Sequence, residues 1–183
     1  MTDDDLPDGE LLAMAATRPD VLGVIYERHA ASVFRYLARR VGAPAAEDLL
    51  GQVFVGAVDA RFRVVPHESG SALPWLYGIA ANVVRSHLRR ARTGTALMDT
   101  VSFDWDAVDA RVDAASRRGE LRVALAALGS TERELLLLVA WDGLSPAEAG
   151  QVLGLSSVAA RSRLHRARAR AQEALNHVAV ATR

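Results

Sequence analysis

The segment Ser145-Pro146-Ala147-Glu148, followed by Gly154 and then Ser156-Ser157, constrains the fold more than any other stretch of the sequence. Ser145 carries the short side-chain oxygen that accepts a hydrogen bond from an unpaired amide at a helix start. Pro146 suits the first helical position, where its missing N–H costs nothing. Glu148 stands three residues after the Ser and completes a capping box. Gly154 supplies the left-handed residue that ends a short helix, and Ser156 or Ser157 caps the next one. Two helices joined by a short turn containing Gly form a helix-turn-helix, whose second helix fits the major groove of DNA.

The second helix agrees with this reading. Ala160, Leu164, Ala167, Ala171 and Leu175 form one apolar stripe at helical spacing. Arg163, Arg166 and Arg170 flank it on one side, Arg161 and Arg168 on the other, and Ser162 lies roughly opposite. Arg flanks suit phosphates, while small polar residues near a helix N-terminus approach base edges. Ser157, Arg161, Ser162, Arg163 and Arg166 are therefore candidate contacts to duplex DNA. An ordinary surface helix with a solvated Arg face is the bland alternative. The cap, the turn and five Arg within ten residues together favour DNA.

The rest of the chain also reads as helical. Asp20 is placed to cap a helix carrying Val21, Leu22, Ile25, Val33, Phe34 and Leu37, and Gly42 stops it. Pro44 opens the next helix, with Glu47 and Asp48 near its positive end, running through Leu49, Leu50, Val53, Phe54 and Ala57. Residues 63–73 read as a loop. A third helix runs from near Pro74 to about Arg92. Its one face carries Trp75, Asn82, Arg85, Ser86 and Arg89; the other carries Leu76, Ile79, Ala80, Val83 and Leu88. The helices of the second block are expected at about 117–128, 131–141, 146–153 and 157–176. The expected architecture is all-α: an acidic, disordered tail over 1–20, a helical domain over 21–92, an acidic linker over 93–116 and a second helical domain over 117–183.

Charge supports that division. The chain has 183 residues, with 22 basic and 22 acidic side chains and a net charge of zero. Taken in segments, residues 1–20 carry −5, 21–98 carry +5, 99–115 carry −4 and 116–183 carry +4. Such asymmetry points to partner surfaces of opposite sign. All basic residues are Arg, and there is no Cys. That excludes a Walker A phosphate loop, a Schiff-base enzyme, a disulfide framework, a thiolate zinc site and a thiol nucleophile. The five His show no metal-ligand spacing. No catalytic residue, metal or cofactor is expected. The longest strongly apolar run, Leu135 to Trp141, is too short to span a bilayer, and the acidic N-terminus does not resemble a signal peptide. No membrane insertion and a cytoplasmic location are expected.

Trp75-Leu76-Tyr77-Gly78-Ile79-Ala80-Ala81-Asn82, with the Arg-rich sequence after it, resembles the second half of region 2 of the extracytoplasmic-function (ECF) sigma factors. Ala46-Glu47-Asp48-Leu49, with Phe54 and Ala57, resembles that family's earlier segment, which binds the clamp of core RNA polymerase. Gly143-Leu144-Ser145, Glu148, Leu153-Gly154 and Ser162-Arg163-Leu164-His165-Arg166-Ala167-Arg168 resemble its region 4. The likeness covers roughly residues 21–92 and 117–176. It implies a protein that binds core RNA polymerase and directs it to promoter DNA, at the nucleoid when in holoenzyme. Carried over by position, Glu47, Asp48, Leu49, Gln52 and Phe54 would bind polymerase. Phe62, Trp75, Asn82, Arg85, Ser86 and Arg89, with the 63–73 loop, would face the minus-10 strand, where melting exposes bases for capture. Ser157, Arg161, Ser162, Arg163 and Arg166 would face the minus-35 duplex. Members of the family are often held inactive by an anti-sigma factor. Three positions depart from the pattern: Gly51-Gln52 where Gln-Glu is usual, Val58 where Trp is frequent, and Ala159-Ala160 where Thr-Val is usual. A rival reading is a response-regulator type of DNA-binding protein, because Ser130-Thr131-Glu132-Arg133-Glu134-Leu135 before the helix-turn-helix resembles that class too. Such a protein binds its operator without polymerase.

Overall fold

The computed structural model describes residues 2–67, 69–94 and 115–181. Among these the structure is all-helical, and the chain divides into two compact units, Met1–Ala107 and Val108–Arg183. From residue 95 to 114, the expected linker lies outside the described residues.

The first unit holds α1 (Asp8–Met14), α2 (Val21–Val41), α3 (Ala43–Ala60) and α4 (Leu73–Gly94), with short 3-10 turns at Asp3–Asp5 and Arg61–Arg63. Helices α2, α3 and α4 pack against one another, and α1 lies on α2. Ile25, Val33 and Leu37 of α2 meet Leu49, Val53 and Ala57 of α3 and Leu76 and Ala80 of α4 in a dry core. These spacings place each set on one helix face, so burying it removes apolar surface from water without orphaning backbone groups. Tyr36 stacks on Tyr77 with ring centroids 4.8 Å apart. The Arg40 guanidinium lies 3.4 Å from the Tyr36 centroid and donates to the Tyr36 carbonyl at 2.7 Å, which gives this buried cation both a π face and an acceptor. Gly42, with φ 80°, ends α2 in a backbone conformation that other residues resist.

Three expectations for this unit need correction. Asp20 does not cap α2; its own backbone is helical and its carboxylate pairs with Arg18 at 2.8 Å. The buried line of α4 runs through Leu76, Tyr77, Ala80 and Val84, with Val83 only half-buried, because the i+4 rhythm continues past the Ala. Most consequentially, the acidic tail is folded. Leu11, Leu12 and Ala15 are buried, and Asp3, Asp5, Asp8 and Asp20 among the acids that suggested a solvated end hold partners.

Asp8 makes the main tie. Its carboxylate accepts from Arg28 at 2.8 Å and from the Ala72 N–H at 3.0 Å, and lies 2.6 Å from His29 Nε2. Arg28 also donates to the Asp4 carbonyl at 2.6 Å. Burial pushes the Asp8 carboxyl up, but the Ala72 amide, Arg28 and His29 outweigh it and hold it below its ordinary 3.8. The folded chain thus binds this proton more weakly than the unfolded chain. The stability it contributes is complete above the ordinary value and is lost as pH falls through the lowered one. Denaturant unfolding of the wild-type chain is therefore expected to weaken more steeply below pH 3.8 than that of Asp8→Asn. Parallel acid limbs for the two proteins would refute the assignment.

The second unit holds α5 (Ala115–Ala126), α6 (Ser130–Ala140), α7 (Pro146–Val152) and α8 (Ser157–Ala181), and α8 packs against the other three. Arg133 donates to the Leu125 and Leu128 carbonyls at 2.8 and 3.0 Å, satisfying acceptors at the α5 C-terminus.

Candidate nucleic-acid interfaces

The helix-turn-helix is built as its residues dictate. Ser145 Oγ accepts from the Glu148 N–H at 3.3 Å, and Glu148 returns by accepting from the Ser145 N–H at 2.7 Å. Gly154 adopts φ 68° and turns the chain. Ser156, rather than Ser157, caps α8 by accepting from the Ala159 N–H at 3.2 Å. That leaves Ser157 exposed on the first turn of the helix.

Ala160, Leu164 and Ala167 are buried in the seam against α5, α6 and α7. Helix α8 therefore turns Val158, Arg161, Ser162 and His165 outward, all exposed. Val158 escaped sequence reasoning although it is 67% exposed at the start of this helix. Its place four residues before Ser162 was the available signal, and a methyl-bearing side chain there suits contact with a thymine methyl. Arg163 and Arg166 lie on the flank and border a shallow hollow with Gly129, Ser130 and Thr131 at the start of α6. Arg170 borders it too, but pairs with Glu132 at 2.8 Å. Glu132 also accepts from the Gly129 N–H at 3.3 Å. The flank thus holds one Arg paired with Glu132 and two more that line the same hollow.

In the first unit, the face of α4 behaves as a surface. Asn82, Arg85 and Arg89 are exposed, while Trp75 and Ser86 are half-buried. Arg85 donates to Asn82 Oδ1 at 2.8 Å, and Ser86 Oγ accepts from Arg90 at 3.1 Å. Phe62 is 64% exposed beside Arg61, whose guanidinium sits 4.0 Å from its ring centroid. Val65 in the following loop is 79% exposed. An exposed ring, exposed Arg and the exposed Val65 make an aromatic-cationic surface of the kind that takes unstacked bases.

The five polymerase-facing candidates are not brought to one surface. Glu47, Asp48 and Gln52 are exposed along α3. Leu49 is 2% exposed and belongs to the core, and Phe54 is half-buried, edge-on to Tyr26 at 4.7 Å. The outer face of α3 instead adds Gly51, Val55 and Val58. The carry-over by resemblance misplaces Leu49, whose spacing of four to Val53 and eight to Ala57 puts it on the buried face of α3. Among the described residues no group of His, Asp and Glu is arranged to hold a metal ion, and no helix is long and apolar enough to cross a membrane.

Comparison with known proteins places both units. The description "Sigma-70 region 2" matches residues 25–93, and "Sigma-70, region 4" matches residues 118–170. "RNA polymerase sigma factor CarQ" of Myxococcus xanthus is 36% identical over 87% of this chain and 91% of its own. "ECF RNA polymerase sigma factor SigC" of Mycobacterium tuberculosis is 30% identical over 91% of this chain and 90% of its own. Among solved structures, CnrH in complex with the cytosolic domain of CnrY aligns with TM-score 0.64 and 26% identity. That alignment covers 94% of this chain and 99% of CnrH.

Proposed function

The chain belongs to the sigma-70 family of RNA polymerase sigma factors, in its ECF group, and from that membership we propose how its two units divide the work. It is an alternative sigma factor that binds core RNA polymerase and directs promoter recognition and the start of transcription. Sigma factors are not enzymes; the chemistry belongs to the polymerase. The observation that carries the reading is the order of the two matches, region 2 and then region 4, each on its own compact unit. An operator-binding regulator of the response-regulator type leaves the region 2 match without a purpose.

The residue assignments are our proposal. Residues 21–92 form the polymerase- and minus-10-binding domain and 117–183 the minus-35-binding domain, tethered by the acidic segment between them. Glu47, Asp48 and Gln52, joined by the exposed Val55 and Val58, form the polymerase face of α3. Phe62, Trp75, Asn82, Arg85, Ser86 and Arg89 receive the minus-10 strand. Ser157, Arg161 and Ser162 reach base edges of the minus-35 duplex, and Arg163 and Arg166 hold its phosphates. An anti-sigma factor is the proposed further partner, in keeping with the protein complex in which CnrH was solved. The place of action is the cytoplasm, at the nucleoid when the factor rides on polymerase.

Run-off transcription with core polymerase and genomic fragments tests the whole reading. Defined start sites are expected only when the chain is added; none would overturn it. On a mapped promoter, the double replacement Arg163→Ala with Arg166→Ala is expected to weaken holoenzyme binding. It should also reduce the slope of log affinity against log salt by about two, one per lost phosphate contact. An unchanged slope removes both Arg from the interface.

A further inference from the structure

We infer that Asp8 is a positioning residue for minus-10 recognition: from α1 it fixes the end of the 64–72 loop and the start of α4. The inference rests on the reading of that loop and helix as the minus-10 surface. It goes beyond that reading by giving the N-terminal acidic segment a part in it.

The start of α4 lacks a complete cap of its own. Ser71 Oγ accepts from the Leu73 N–H at 3.2 Å, but Ala72 has no side-chain oxygen to offer. Its N–H is taken instead by Asp8, 64 residues away, at 3.0 Å. A carboxylate at this end also meets the positive end of the helix dipole. The carboxylate is itself immobilised, because Arg28 and His29 of α2 hold its two oxygens at 2.8 and 2.6 Å. Its side chain is only 11% exposed, so it acts through the loop and not by touching DNA.

A second contact comes from the backbone of α1. A Cβ on Gly9 would lie 3.5 Å from Gly70 Cα and 3.6 Å from the Gly70 carbonyl oxygen, so the helix rests against the loop. Within the loop, His67 Nδ1 pairs with Ser69 Oγ at 2.9 Å and with the Ser69 N–H at 3.1 Å, and the Gly70 N–H reaches the His67 carbonyl at 2.9 Å. His67, Ser69 and Gly70 are thus braced against one another, and the segment is held from outside at 70 and 72. Phe62 and Val65, just before it, stay exposed. A surface held in its binding geometry loses less conformational entropy on capturing a strand. Removing Asp8 releases the far end of the loop.

The test uses holoenzyme reconstituted with the full chain, carrying Asp8→Asn or Asp8→Ala. The probe is a fork-junction DNA built on a mapped promoter, with a single-stranded minus-10 segment that is either intact or scrambled. Affinity for core polymerase is measured alongside, as is hydrogen exchange of the amides over 69–73. Asp8→Ala is expected to speed exchange at Ala72 and to reduce the preference for the intact segment by about tenfold, the worth of one charge-assisted hydrogen bond. Core affinity should not change. Asp8→Asn keeps one acceptor oxygen and should fall between; it carries the test alone if Asp8→Ala fails to fold. Faster exchange with full discrimination retained would make Asp8 merely structural and overturn the inference. Equal losses in core affinity and discrimination would do the same. If the wild-type holoenzyme does not distinguish the two forks, the minus-10 reading itself has failed, which is a separate result.

Discussion

Tyr36→Ala is expected to cost the first unit about 4 kcal/mol, the typical range for deleting a large buried ring. Tyr36 is 1% exposed, and its ring contacts two further buried groups. It stacks on Tyr77 at 4.8 Å and so ties α2 to α4. Its outer face receives Arg40, itself 2% exposed, at 3.4 Å. Removing the ring opens a cavity between the helices and strips a buried cation of its π face, and buried charges tolerate such loss poorly. Against a total stability of about 5–15 kcal/mol for an ordinary domain, that is a quarter or more of what holds the unit folded. Denaturant unfolding of the full chain, with hydrogen exchange to locate the change, measures it. A loss below about 1 kcal/mol would mean that the stack carries little of the core.

The second large effect is expected at Gly150. This residue lies where α7 crosses α8, and a Cβ there would meet the Ala160 Cβ at 2.7 Å and the Leu155 carbonyl oxygen at 3.3 Å. Neither neighbour is the end of a flexible side chain, so the two helices must separate. Gly150→Ala is expected to cost about 2 kcal/mol, a typical overpacking penalty, and to lower Tm by about 10 °C for a unit of this size. Gly150→Val, with two further methyls in the same space, should also abolish the proposed minus-35 binding, because α8 loses its seat. Thermal unfolding and promoter binding at low temperature separate loss of stability from loss of the interface. A Gly150→Ala chain that melts like the wild type would show that the crossing relaxes freely.

These two residues differ in how far a sequence reading reaches them. The sequence reading of α2 names Phe34, which is half-buried, and passes over Tyr36, three residues after Val33 on the buried face; its partner Tyr77, on a helix two elements away, carries no local signal. Gly150 carries no sequence signal, since a small residue in a seven-residue helix resembles any other. The folded acidic N-terminus has the same origin. Composition marks Asp8 as a solvated acid, and only the arrival of Arg28, His29 and the Ala72 amide makes it a node of the core edge.

What the sequence by itself determined was whatever closes within one helical turn. The reciprocal bonds of Ser145 and Glu148, the left-handed Gly154 and the buried stripe of Ala160, Leu164 and Ala167 all depend on residues three or four apart. Their geometry is set by the backbone itself. Tertiary structure decided the pairings between distant residues. Arg170 is held by Glu132, 38 residues away, while Arg163 and Arg166 line the same hollow on that flank. Helical periodicity states which face a side chain occupies, but not what stands opposite. A surface cation and a structural one look alike until packing brings an acceptor within hydrogen-bond reach, and that difference separates the Arg that holds this fold from those proposed to meet DNA.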